Sequence, residues 1–212
     1  MNTGDLSSIT KRSIMPSEPP QRPDLAQELI RRAAEAGERW PSLTRGLLCA
    51  EDVDRGRLTD QADAGLVHRI ITDHGWPGWS LVGEQGATAA WLIALRADHH
   101  ISFQRHAARM MHQAVRAGEA SMLQWVHLHD RCLIHAGAGQ EYGTQYCPGP
   151  HGPERLPVHS PQALDERRAR VGLPPAAVSL EALRRRRVSA PPPGSAVEIP
   201  DNESAGELVG AA

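Results

Sequence analysis

Charged and amide side chains stand where their neighbours are apolar: Arg96, Asp98, His99, His100, Gln104 and His106 in one stretch, then His127, His129, Asp130 and Arg131 in another. Burying an ionised group is costly unless it is paired or hydrogen-bonded. These groups must therefore face one another or line a wet hollow. If both stretches are helical, His127 sits three residues before Asp130 and four before Arg131, on one face. An imidazole beside a carboxylate is the smallest general acid–base pair, because the carboxylate fixes the tautomer and stabilises the charged ring. In that reading His99 or His127 is the base, Asp130 orients it, and Asp98 belongs to the same catalytic group. Arg96 or Arg131 would hold an anionic group on the substrate. The competing reading has Asp130 and Arg131 pairing with other helices while His127 satisfies a backbone carbonyl.

The segment Gln140-Glu141-Tyr142-Gly143-Thr144-Gln145-Tyr146 is a second polar concentration, in a Gly-rich loop. Amides and hydroxyls on a loop held by a rigid scaffold suit ligand orientation, so Gln140, Tyr142, Thr144 and Gln145 join Gln104 as candidate substrate-binding residues. Equally, the glutamines could cap helix ends. Trp76 is either a cradle for a ligand or a filler of the core edge. The loop lacks the Gly-x4-Gly-Lys spacing of a phosphate loop. Eleven histidines invite a metal, yet there is no HExxH and no ExxH pair. The nearest approach is His127 and Asp130 with His99 or His106, so neither a metal nor a cofactor is expected. His68, His74, His112, His151 and His159 read as peripheral.

The elements that must position these groups are helical. A helix over LAQELIRRAAEAGERW is capped by Asp24 and ends at Pro41; another starts near Asp60 or Asp63 and stops at Gly75. The longest spans about Glu84 to Ala117, Gly118 punctuates it, and a further helix covers EASMLQWVHLHDRCLIHAG. From Gly137 to about Val158 the chain is Gly/Pro-rich, and Asp165 opens a short helix. No run alternates convincingly as a strand. The predicted class is all-α: about five helices in one domain over 23–187, between a disordered arm (1–22) and a disordered Pro/Gly/Ser-rich tail (188–212).

Composition narrows the function. The chain has 212 residues, 40% hydrophobic, with a net charge of −2, so no global field draws it to nucleic acid or membrane. No apolar stretch approaches a membrane span, and the polar start lacks a secretory core. Three cysteines without metal spacing fit a reducing cytoplasm. Lys11 is the only lysine among 23 basic residues, a base-composition effect rather than a choice of guanidinium chemistry. The tetrad Arg184 to Arg187 reads as a solvated helix end.

The order Gly75-Trp76-Pro77, Val82-Gly83, Ala90-Trp91-Leu92, Ala97-Asp98, Phe103-Gln104, Asp130-Arg131, Gln140-x-Tyr142-Gly143-Thr144-Gln145 and Arg167-Arg168 with Gly172-Leu173 resembles the DUF6624 family. The likeness covers about 60–175 and implies a small, uncharacterised domain common in bacteria, including actinomycetes. In that family a Gln-His pair precedes the Ala-Asp step, where this chain has Leu95 and Arg96, and an Asn is usual at Asp63. With that histidine replaced, a base role falls to His99 or His100, or the chemistry is absent. The reading is an enzyme acting on a small polar or anionic molecule; the alternatives are a non-catalytic binding or interaction domain and a His/Asp metal enzyme.

Overall fold

The computed structural model describes residues 19–44, 50–150 and 152–189; the expected arm up to residue 18, the tail from 190 and His151 lie outside them. The described residues form seven α-helices: α1 (Pro23–Thr44), α2 (Ala50–His74), α3 (Trp79–Arg96), α4 (Ile101–Arg116), α5 (Met122–His135), α6 (Leu164–Arg170) and α7 (Ala176–Ser189). The fold is all-α, with one addition. Strands β1 (Tyr146–Gly149) and β2 (Gly152–Arg155) form a short antiparallel hairpin, Tyr146 opposite Arg155 and Cys147 opposite Glu154. Among the described residues no helix is long and apolar enough to cross a membrane.

Helix α3 is the hub, packing against α1, α2, α4 and α5. Its small residues Gly86, Ala87, Ala89, Ala90 and Ala94 are buried, which lets the neighbouring helices approach closely. Leu29, Val67, Val82, Ala107, Met111, Val126 and Leu128 complete a core with almost no exposed atoms. Near its start α3 kinks at Gly83 (φ 71°), a conformation that disfavours any side chain. The carbonyls of Ser80 and Leu81 beside the kink accept from the backbone N–H groups of Gln21 (3.1 Å) and Arg22 (2.8 Å), tying the approach to α1 against α3. Glu119, in the turn between α4 and α5, caps the start of α3 by accepting from the Ser80 N–H (2.8 Å) and hydroxyl (2.6 Å).

The expected long helix over Glu84–Ala117 is two helices, α3 and α4, parted by Ala97–His100. The cause is Gln104. Its side-chain amide donates to the carbonyls of Ala94 (3.1 Å) and Leu95 (3.2 Å), which would otherwise accept from residues 98 and 99. Helix α2 begins at Ala50, well before the expected start near Asp60 or Asp63, and Asp63 is not a cap. Its buried carboxylate accepts from Arg32 Nη1 on α1 at 2.7 Å. Helix α1 runs through Pro41 to Thr44 rather than stopping there; proline's fixed φ suits a helix even though its ring forfeits one hydrogen bond.

Leu29 is wholly buried on α1. Leu29→Ala is expected to lower unfolding free energy by about 2–5 kcal/mol, the usual cost of a core cavity, measured by chemical denaturation.

Candidate functional site

Asp130, on α5, is fully buried, and its carboxylate gathers the following loop around itself. Oδ1 accepts from the backbone N–H of Glu141 (2.8 Å) and of Tyr142 (3.0 Å); Oδ2 accepts from the N–H of Thr144 (3.0 Å) and its hydroxyl (2.9 Å). The loop can curl this tightly because Gly143 has φ 66°. On its other side sits a second buried charge, Arg168 of α6, 2% exposed. It donates to the carbonyls of Tyr142 (2.6 Å) and Pro174 (2.7 Å) and to the Ser179 hydroxyl (2.6 Å). Burial lowers the Arg168 pKa from its ordinary value. Arg167 adds a bond to the Glu141 carbonyl at 2.9 Å.

This geometry replaces the expected His127–Asp130 pair. Both Asp130 oxygens are turned to the loop. His127 instead places its half-buried ring edge-on to Trp91 (centroids 6.4 Å apart), and its carbonyl accepts from the Gln145 amide at 3.2 Å. Burial pulls the His127 pKa below 6.5, against the nearby Asp130 charge that raises it. Gln140 is likewise spent inside the loop. Its amide donates to the carbonyls of Gln145 (3.0 Å) and Leu156 (2.9 Å), and its oxygen accepts from the Gln145 N–H (2.8 Å).

Four further predicted residues, Asp98, Gln104, Arg131 and Gln145, meet in a hydrogen-bonded chain across α3, α4 and α5. Asp98, in the break between α3 and α4, accepts from Arg131 Nε (2.9 Å) and from its Nη2 in a two-pronged pair. Arg131 Nη1 reaches the Gln145 oxygen at 3.3 Å. The Gln104 amide that caps α3 lies 3.4 Å from Asp98 Oδ1, and its oxygen meets His135 Nδ1 at 2.9 Å. The Gln104 amide assigns a tautomer from the hydrogen-bond network. The Gln104 NH2 must face the Ala94 and Leu95 carbonyls, so its oxygen faces His135, and Nδ1 carries the hydrogen. The neutral ring then keeps its lone pair on Nε2, 3.6 Å from Asp98 Oδ1, where an added proton meets a carboxylate. Beside this chain lies a hollow of about 250 Å³ lined by Leu92, Leu95, Arg96, Arg131 and Gln145. Arg96 also donates to the Ala33 carbonyl at 3.2 Å.

Three predicted residues lie apart. His99 is exposed, Trp76 is buried in the core, and the Tyr142 ring turns to the far side of α5. The sequence reading missed His135 and Arg168. His127, Arg131 and His135 recur every fourth residue along one helical face, which is the signal that could have drawn in His135. Arg168 entered only as part of the Arg167-Arg168 pair of the family resemblance, with no role given to it. Among the described residues no group of three or more His, Cys, Asp or Glu is placed to hold a metal ion.

Fold and site together define a helical domain whose polar centre is built on a buried carboxylate and an adjoining Asp–Arg–Gln–His chain. A family model described as a family of unknown function, DUF6624, matches residues 23–186, and the chain belongs to that family. No curated protein and no solved structure matches it.

Asp130→Ala leaves at least three loop donors without an acceptor and is expected to cost about 3 kcal/mol or more in chemical denaturation; Asp130→Asn, which keeps one acceptor, should cost less. His127 gives a pH test. Its folded pKa is depressed, so below pH 6.5 the unfolded chain takes up a proton that the folded chain refuses, and stability falls as pH drops. His127→Gln should therefore narrow the difference in melting temperature between about pH 7.5 and about pH 5.5.

Proposed function

We propose that the protein acts on a small anionic molecule held between Arg96 and Arg131, with His135 as the proton-transfer group. One observation carries the reading. Gln104 presets His135 with Nε2 bare, and Asp98, held by Arg131, stands ready to stabilise the imidazolium. His135, linked through Asp98 to Arg131 of the hollow's lining, exchanges a proton with the bound molecule, the usual service of a positioned imidazole. Arg96 and Arg131 both line the hollow, and two guanidiniums suit a carboxylate or phosphate. Its size of about 250 Å³ restricts the occupant to a small molecule. In this assignment Asp98 takes the place expected for Asp130, and His135 that expected for His99 or His127.

A second reading is a binding domain without turnover. What favours it is that both aspartates are already saturated by internal partners, so neither is a free base.

Incubating the full chain with a metabolite extract and following it by mass spectrometry separates the two. The catalytic reading expects an anionic species consumed by the wild-type chain and, at His135→Gln, a rate lower by about a hundredfold or more with an unchanged melting temperature. An anion retained by the protein, unconverted and released by Arg96→Gln, establishes the binding reading instead.

A further inference from the structure

Helix α5 has a second working face. Where His127, Arg131 and His135 look one way, Met122, Trp125, His129 and Cys132 look into a cleft of about 670 Å³ between α4 and α5, closed at one end by Glu141 and Tyr142. That size falls within the range of small-molecule pockets. On its α4 rim stand Arg105 and Arg109, one turn apart, both exposed; among the described residues neither has a hydrogen bond or ion pair. Their charges act on the cleft floor. They pull the Cys132 thiol down, although its burial prevails and pushes it up to about 11, so the thiol is no nucleophile at neutral pH.

The aromatic wall is rigid. Trp125 is stacked between His112 (4.4 Å between centroids, 17° between planes) and His129 (4.9 Å, 25°), with Tyr142 edge-on at 6.2 Å. The indole N–H is pinned to the Ala108 carbonyl at 3.1 Å, and His129 Nε2 is held by Glu141 at 3.1 Å. The one carboxylate in the lining, Glu141, is therefore already engaged by His129. What remains is an apolar, ring-lined floor beneath two unspent guanidiniums.

We propose that the α4–α5 cleft binds a small aromatic anion, its rings against Met122, Tyr142 and the edge of Trp125, and its single oxyanion head between Arg105 and Arg109. Two guanidiniums one helical turn apart match one carboxylate, sulfonate or phosphate head. The ring edges and faces of the lining favour a flat aromatic body. This site is separate from the hollow at Arg96 and Arg131 and does not depend on any reaction there.

Calorimetric titration of the full chain with 2-naphthoate, 2-naphthylmethanol and inorganic phosphate tests it. The expected results are saturable 1:1 binding of 2-naphthoate, binding of the uncharged alcohol weaker by about tenfold or more, and no saturation by phosphate. Arg105→Ala with Arg109→Ala should weaken 2-naphthoate by about tenfold or more, while leaving the melting temperature unchanged because both side chains are exposed. Arg96→Gln should leave 2-naphthoate binding untouched. Absence of saturable 2-naphthoate binding, equal binding of the alcohol, or full affinity in the double arginine variant overturns the proposal. A loss confined to Arg96→Gln overturns it too, by placing the anion in the other hollow.

Discussion

Two opposite charges, Asp130 and Arg168, are buried on either side of one short loop and satisfied through its peptide groups rather than by each other. The carboxylate takes the N–H groups of Glu141, Tyr142 and Thr144; the guanidinium takes the carbonyl of Tyr142. Each buried charge meets the end of the peptide dipole that stabilises it. The loop becomes a rigid plate between α5 and α6. Once it is fixed, Gln145 is aimed at Arg131 on one side of α5 and Tyr142 toward Trp125 on the other.

Gln104 plays a comparable part at the other end of the site. By capping the carbonyls of Ala94 and Leu95 it ends α3, frees Asp98 to enter the break, and turns its own oxygen to His135. One amide thus couples a helix end, a carboxylate position and an imidazole tautomer. Its complete burial follows from that role. Polar groups packed among hydrocarbon act here as structural joints first, and their chemistry depends on which atoms the joints leave unused.

Much of the fold was legible along the chain. Apolar spacing at three and four residues marks the helices, Gly75 and Gly118 mark their ends, and the QEYGTQ segment stands out as a loop. The break at Ala97–His100 was not legible, because its cause lies in a side chain seven residues further on that competes for helix carbonyls. The β1–β2 hairpin is too short and too rich in Gly and Pro to show an alternating pattern. Of the site, the sequence marked Asp98, Gln104, Arg131 and Gln145, and the structure joins them in one chain of hydrogen bonds. Pairing His127 with Asp130 by helical spacing failed, since adjacency on a helix face does not say where a carboxylate turns when backbone donors compete for it.

By itself, then, the order of residues determined the helical class, the position of the polar loop, and the fact that ionic groups would lie inside. These follow from local periodicity, glycine conformation and the cost of burying charge, all properties of short stretches. Which charge meets which partner was decided only by tertiary structure. Arg168 and the Tyr142 carbonyl, Asp98 and Arg131, and Gln104 and His135 lie 26, 33 and 31 residues apart along the chain. Hydrogen bonds act over about 3 Å, so their choice among partners is made only when helices distant in sequence have packed.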